Sequence, residues 1–182
     1  MSPTVLIVPG LRDHVEAHWQ TLLAAQLPKV HSVPPMGRED LDCAKRVQAI
    51  ETAMAAMDGP VVLVAHWAHT SAHAHRVVGA LLATPPDFDR PMPEGYPTLA
   101  ALQAGGWLPV PRQPLPFRSL VATSDNDPLA ARERVLALAK DWGSDTVDLG
   151  EVGHLNPASG YGEWPMALSL MERLHQARGI PS

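Results

Sequence analysis

Four short runs of apolar, often β-branched residues recur along the chain, and longer amphipathic segments separate them. The runs occupy residues 4–8, 61–65, 119–123 and 146–149. Runs this short and this continuously apolar are typical of strands buried on both faces of a sheet. Residues 30–33 form a weaker fifth run, and because Pro34 and Pro35 follow it, this strand suits the edge of the sheet.

The segments between these runs have the periodicity of helices. Residues 39–57 place apolar side chains at spacings of three and four, and Gly59 and Pro60 then end the helix. The same pattern predicts helices within residues 17–27, 68–83, 130–142 and 164–178. Strands that alternate with helices indicate a mostly parallel sheet of about five strands with helices on both faces, which is a three-layer α/β/α sandwich.

The composition fits a single globular domain over residues 1–182. Of the 182 residues, 46% are apolar and 18% are charged, which is enough apolar material for one core. Nine of the nineteen prolines lie within residues 84–116. Because that stretch also holds large apolar residues such as Phe88 and Trp107, we predict an ordered insertion near the site rather than a linker.

Charge and hydropathy exclude several classes of protein. A net charge of −5 with neutral histidines gives no basic footprint for nucleic acid. No apolar run approaches the roughly 20 residues that a membrane-spanning helix needs, and the first apolar run is too short for a signal peptide. We therefore expect a soluble, cytoplasmic protein with no membrane or nucleic-acid partner and no cofactor, which binds a small molecule. The sequence leaves the oligomeric state open.

Three loops that follow predicted strands carry candidate functional residues. Ligands bind beyond the carboxyl ends of the strands in an open parallel sheet. The first loop contains Gly10 and Leu11, where backbone amides can donate to an anion. The last two predicted strands are followed by Asp127 and by His154. An acid after one strand and a histidine after the next is the chain order of the last two members of an α/β-hydrolase triad.

Five motifs lie in order along nearly the whole chain. They are Val-Pro-Gly-Leu at 8–11 with His-Trp-Gln at 18–20, Pro-Arg-Gln-Pro-Leu-Pro at 111–116, Ser-Asp-Asn-Asp-Pro at 124–128, Asp-Trp-Gly-Ser at 141–144, and Gly-His-Leu-Asn at 153–156 with Ser-Gly at 159–160 and Glu-Trp-Pro at 163–165. Together they resemble the small serine hydrolases related to retinoblastoma-binding protein nine and bacterial YdeN. The resemblance implies a compact α/β-hydrolase fold, with Asp127 as catalytic acid and His154 as base. It also implies an oxyanion hole formed by the backbone amides of Leu11 and Ala68.

The nucleophile position departs from that pattern. In the family, the third strand leads into a Gly/Ala-His-Ser-x-Gly elbow, which reads Ala65-His66-Trp67-Ala68-His69 here. An indole has neither hydroxyl nor thiol, so Trp67 cannot form an acyl-enzyme. We therefore predict that acyl-enzyme hydrolysis is lost. In its place we expect general-base chemistry by a His154–Asp127 dyad on a ligand that stacks on Trp67. Either natural divergence or deliberate redesign of a hydrolase pocket would produce such a site.

Three alternatives stay open. The first is a catalytically silent binding protein, a pseudoenzyme in which Trp67 fills a dead site. The second is a metal site on His66, His69 and His73, since His69 and His73 have the i, i+4 spacing of two ligands on one helical face. The third is an active serine hydrolase that uses Ser71, four residues beyond Trp67.

Overall fold

A parallel sheet of six strands forms the centre of the protein. The computed structural model describes residues 2–11, 15–37, 40–66 and 73–176. The strands are β1 (Thr4–Val8), β2 (Val30–Ser32), β3 (Val61–Ala65), β4 (Val77–Ala83), β5 (Ser119–Thr123) and β6 (Asp145–Asp148). They lie in the order β2-β1-β3-β4-β5-β6, and every neighbouring pair is parallel. The carboxyl ends of all six strands therefore meet at one edge of the sheet.

Helices cover both faces of the sheet, which makes the three-layer α/β/α arrangement that the sequence predicts. They are α1 (Trp19–Gln26), α2 (Cys43–Ala55), α3 (Leu99–Ala104), α4 (Arg132–Asp141) and α5 (Met166–Gln176). Buried side chains of α1 and α5 form one core with the sheet. Those of α2, α3 and α4 form a second core on the opposite face, called here the α2 face. No helix in the described ranges is long and apolar enough to cross a bilayer.

Strand β4 corrects the sequence analysis, which assigns residues 68–83 to a helix and finds about five strands. Residues 77–83 form a strand whose seven residues are all buried. The run Val-Val-Gly-Ala-Leu-Leu-Ala is apolar at every position, so its periodicity does not distinguish a central strand from a buried helix. Gly79 fits the strand, since a Cβ there would lie 3.0 Å from the Cβ of Leu174 on α5. Only a residue without a side chain lets the helix pack this closely on the sheet.

The other strands lie where the sequence places them. Strands β1, β3 and β5 match the predicted runs residue for residue, and β6 begins one residue earlier than its run. Strand β2 ends at Ser32 and pairs only with β1, so it lies at an edge of the sheet.

The Pro-rich segment 84–116 packs against the α2 face. Phe88 and Trp107 are buried and meet edge to face, with 5.7 Å between ring centroids. The Trp107 indole N–H donates to the Leu41 carbonyl at 2.7 Å, just before α2 begins. Arg112, near the end of the segment, forms ion pairs with Asp89 of the same segment at 2.5 Å and with Asp141 at the end of α4 at 2.9 Å. The segment is thereby attached to the start of α2 and the end of α4.

The connection between β3 and β4 is much shorter than the other four crossovers. It comprises the eleven residues 66–76, whereas the others comprise at least 21 residues and each contains an α-helix. Its described part, residues 66 and 73–76, contains a single 3-10 turn at Ala74–Arg76. Arg76 donates to the carbonyls of Met54 (2.6 Å), Met57 and Gly59 (3.1 Å). These bonds hold the last residues of the connection against the C-terminal end of α2.

Candidate active site

The loops after β5 and β6 bring Asp127 and His154 together. His154 Nδ1 lies 2.9 Å from Asp127 Oδ2. The Asp127 side chain is 2% exposed and that of His154 is 13% exposed, so the acid is enclosed and the imidazole reaches the surface of a cavity. Asp127 Oδ1 accepts the Leu129 N–H at 2.8 Å, which fixes the carboxylate plane. A carboxylate on Nδ1 selects the tautomer that leaves the Nε2 lone pair for a ligand.

A hydrogen-bond network fixes the two loops against each other. Asn126 Oδ1 accepts the Gly153 N–H at 2.6 Å, which joins the β5 loop to the β6 loop. Ser159 Oγ accepts the His154 N–H at 3.1 Å, and the Ser159 hydroxyl donates to Asn156 Oδ1 at 3.0 Å. Gly153 adopts φ +57°, and a Cβ there would overlap Ser159 Oγ. The Gly-His-Leu-Asn sequence is thus the local reason that His154 has this position.

Two residues with side chains adopt a left-handed backbone beside the dyad. Thr84 has φ +42° and Leu155 has φ +48°, and both are fully buried. A positive φ is strained for a β-branched residue, and such strain concentrates at functional sites. Thr84 follows β4 directly, and its hydroxyl donates to the His154 carbonyl at 3.4 Å. The central strand β4 therefore supports the loop that carries His154.

His66 packs against the His154 ring of the dyad. Its ring stacks on that of His154 with a centroid distance of 5.1 Å and an interplanar angle of 25°. Its Nδ1 lies 3.5 Å from Thr84 Oγ1. Burial, followed by the nearby His154 and His18 rings, lowers the pKa of His66 well below its usual value. Burial therefore favours the neutral form of the His66 ring.

His18 and Trp19 complete the aromatic group around His66. The His66 ring meets the edges of the His18 and Trp19 rings at centroid distances of 5.6 Å and 5.8 Å. His18 is also the N-cap of α1, since its Nδ1 accepts the Gln20 N–H at 3.3 Å. The His-Trp-Gln motif thus both starts α1 and encloses His66.

A cavity of about 300 Å³ opens beside the dyad. Among the described residues, those that line the cavity with polar side chains are His18, Gln20, Arg46, His66, Tyr96, His154 and Asn156. The remainder is mostly apolar and comes from the β1 loop, from α2 and from the Pro-rich segment. Leu11, which the resemblance assigns to the oxyanion hole, lines this cavity. The structure therefore places His154, His66 and Leu11 on one cavity, with Asp127 behind His154.

The other predicted site residues lie on the β3–β4 connection. Trp67, Ala68, His69 and Ser71 lie outside the described residues. His73 is described, and its Nε2 lies 3.5 Å from Glu51 Oε2 of α2, whereas His66 contacts His154, Thr84 and His18. Among the described residues, no three His, Cys, Asp or Glu side chains are grouped so as to hold a metal ion.

Thr84 is the site residue that the sequence analysis misses. The rule that ligands bind beyond strand ends would have drawn attention to it, had residues 77–83 been recognised as a strand. Two prolines follow Thr84 and mark the end of that strand.

Comparison with known proteins places this geometry in a family. The structure of a YdeN-like hydrolase from Pectobacterium atrosepticum is similar, with a TM-score of 0.78, 26% identity, and coverage of 96% of this chain and 91% of that one. The ydeN gene product of B. subtilis (TM-score 0.72, 13% identity, 96% and 100% coverage) and the type II thioesterase BorB of the borrelidin cluster (0.57, 14%, 95% and 92%) share the fold. None of the curated protein sequences matches this chain significantly. A family model for serine hydrolases matches residues 5–173, and the chain therefore belongs to the serine hydrolase family of α/β-hydrolase proteins.

Proposed function

We propose that this family member keeps the acid–base half of the serine hydrolase machinery and lacks the nucleophile half. Acyl-enzyme hydrolysis is then absent. His154, oriented by Asp127, removes a proton from a small molecule bound in the adjoining cavity. In the pseudoenzyme alternative, acyl-enzyme hydrolysis is also absent, but His154 has no chemical role.

The observation that carries the proposal is the length of the β3–β4 connection. A nucleophile elbow is a sharp turn between a strand and a helix, with the serine at its tip. A helix that returns along a five-residue strand must span about 16 Å, which takes about eleven residues. The whole connection has eleven residues, and the last three already form a 3-10 turn. A connection of eleven residues therefore has little length to spare for a separate turn ahead of such a helix.

The residue types in this connection agree with its length. Trp67 stands second in the connection, at the position that the resemblance matches to the family's serine. Its indole offers no nucleophile, and it offers a flat surface for a planar ligand. Thr70 and Ser71 are the two residues of the connection that carry a hydroxyl group.

The dyad supplies the chemistry that remains. With Nδ1 paired to a buried carboxylate, the imidazole is held in the tautomer whose Nε2 can accept a proton from a ligand. General-base catalysis of this kind typically contributes about 10² to 10⁴-fold. The neutral ring of His66 beneath it adds no competing charge.

Two assays test the two halves separately. A fluorophosphonate probe, which reacts with activated serines, should not label the protein. Ring opening of 5-nitrobenzisoxazole should be accelerated, because this reaction needs only a base. His154 removes the proton from the ring carbon, and the electrons of the C–H bond form the C≡N bond of a nitrile. The N–O bond breaks at the same time, and its oxygen leaves as a coloured phenolate. This substrate is also planar, as a ligand for Trp67 should be.

Variants identify the residues responsible. His154→Ala should lose the ring-opening activity, whereas His31→Ala, which removes an exposed imidazole on β2, should keep it. Fluorophosphonate labelling at Ser71 would mean that the protein is a serine hydrolase after all. A rate that stays the same in His154→Ala would remove the base from the proposal and leave a binding protein.

A further inference from the structure

The first four residues of the Pro-rich segment, 84–87, contact the loops of both members of the dyad. At the start of this 84–87 segment, the Thr84 hydroxyl donates to the His154 carbonyl at 3.4 Å. At its end, the Asp87 N–H donates to the Leu129 carbonyl at 3.0 Å. The two residues between them are buried prolines, whose rings fix φ and leave the backbone little freedom to bend. The 84–87 segment therefore joins β4 to the β5 loop and to the β6 loop.

Leu129 connects the 84–87 segment to the acid of the dyad. Its carbonyl accepts the Asp87 N–H, and its own N–H donates to Asp127 Oδ1 at 2.8 Å. Leu129 is buried, so water does not readily replace either of these partners. Asp127 in turn lies 2.9 Å from His154 Nδ1. A displacement of Asp87 would thus reach the Asp127 carboxylate through a single buried residue.

An arginine in the first turn of α4 holds the Asp87 side chain. Arg134 Nε donates to Asp87 Oδ2 at 2.8 Å, and Arg134 Nη2 donates to Asp87 Oδ1 at 3.3 Å. Two parallel bonds of this kind fix the orientation of a carboxylate as well as its position. The Asp87 side chain is 10% exposed, whereas that of Arg134 is 38% exposed. The enclosed carboxylate of the 84–87 segment therefore depends on a guanidinium at the surface of α4 for its counter-ion.

We propose that Arg134 is a positioning residue for the His154–Asp127 dyad. By fixing Asp87, it keeps the Leu129 N–H directed at the Asp127 carboxylate, and the carboxylate then orients His154. Arg134 is not among the described residues that line the cavity, so it acts on the base through these bonds and not through the ligand. This inference rests on the proposed function, because the activity that Arg134 supports is that of His154 as a base.

Steady-state kinetics and amide hydrogen exchange on Arg134→Met test the proposal together. In this variant the Asp87 carboxylate loses its counter-ion and moves toward water. The kcat for 5-nitrobenzisoxazole should fall about tenfold with KM unchanged, because the cavity is intact while the base is misaligned. The Leu129 amide should exchange its hydrogen about tenfold faster, because its bond to Asp127 Oδ1 opens more often.

Arg132→Met is the matched control. Arg132 lies on the same helix, its side chain is 37% exposed, and it also pairs with two carboxylates, those of Asp125 at 3.0 Å and Asp148 at 2.7 Å. The control removes the same charge from α4 and leaves the Asp87 carboxylate paired. It should therefore change neither kcat nor the exchange of the Leu129 amide. Equal changes in the two variants would overturn the proposal, because they would follow from the lost charge and not from the bonds to Asp87.

Asp87→Asn tests the same ion pair from its other member, and it serves if Arg134→Met does not fold. The asparagine keeps the backbone N–H that donates to Leu129 but loses the charge that Arg134 pairs with. Thermal unfolding shows whether each variant is folded. The double variant Asp87→Asn/Arg134→Met should lose no more kcat than either single variant, since all three break one contact. Losses that multiply in the double variant would contradict the proposal.

The outcomes separate this inference from the function it rests on. If the parent protein does not open 5-nitrobenzisoxazole, the proposed function fails and hydrogen exchange decides the inference. Faster exchange of the Leu129 amide in Arg134→Met, but not in Arg132→Met, then supports the role of Arg134, and unchanged exchange in both overturns it. If ring opening depends on His154 but Arg134→Met keeps the parental kcat, the base remains and Arg134 does not position it.

Discussion

The two halves of the site are built by different means. The acid–base half lies on the loops after β5 and β6. Asn126 Oδ1 accepts the Gly153 N–H between the two loops, and Ser159 Oγ accepts the His154 N–H within the second loop. The nucleophile half of a serine hydrolase lies on one connection, between β3 and β4, and here that connection has eleven residues. None of the bonds that fix the dyad involves a described residue of that connection except His66. The geometry of the dyad therefore does not depend on whether this connection forms an elbow.

The largest expected effect comes from the acid of the dyad. Asp127→Asn keeps the size of the side chain but removes the charge that orients His154, so the ring-opening rate should fall about 10²-fold or more. Asp125→Asn is a matched control in the same loop, since its carboxylate is exposed and pairs with Arg132 at 3.0 Å. Steady-state kinetics on 5-nitrobenzisoxazole give both rates. Equal rates in the two variants would mean that Asp127 does not orient the base.

Gly153→Ala tests whether the backbone of the β6 loop sets the position of His154. The new Cβ meets Ser159 and forces a side chain to adopt φ +57°, so the free energy of unfolding should fall by about 3 kcal/mol. Gly160→Ala has φ +81° but faces open space, and it should lose only about 1 kcal/mol. Urea unfolding measures both values. If the two losses agree, the contact between residues 153 and 159 does not constrain the loop.

The dyad and the sheet could be predicted from the sequence because their signals are local. Strands β1, β3 and β5 are short apolar runs between turn residues, and Asp127 and His154 stand in motifs after two of the predicted strands. Strand β4 was not recognised because a run of Val, Leu and Ala has the composition of a buried helix as well. With residues 68–83 assigned to a helix, the sequence does not reveal that the β3–β4 connection has only eleven residues. The same error hid Thr84 and its bond to the His154 loop, which depend on where β4 ends in space.

A pH dependence of stability should distinguish the buried His66 from other histidines. Burial lowers its folded-state pKa, so below its ordinary value of 6.5 the unfolded chain binds a proton that the folded protein does not. The contribution of His66 to stability should therefore level off above pH 6.5 and fall by up to about 1.4 kcal/mol per pH unit as the pH drops below it. His66→Gln should reduce this slope, whereas His31→Gln, at an exposed position, should leave it unchanged. Identical slopes in all three proteins, measured by urea unfolding at pH 5.5 and 7.5, would show that burial does not lower the pKa of His66.

The smallest expected effect concerns the link between β4 and the dyad. Thr84→Val keeps the shape of the side chain but removes the hydroxyl that donates to the His154 carbonyl, so the free energy of unfolding should fall by about 1 kcal/mol. Thr84→Ser restores the hydroxyl and removes the methyl group that makes φ +42° unfavourable, and its stability should stay close to that of the parent. If the hydroxyl also positions His154, ring-opening activity will fall in Thr84→Val and recover in Thr84→Ser. Unchanged stability and activity in Thr84→Val would show that the hydroxyl neither stabilises the His154 loop nor positions the ring. The position of the dyad would then depend on the β5 and β6 loops and on the bond from Asp87 to Leu129. Neither the β3–β4 connection nor the central strand β4 would contribute to it.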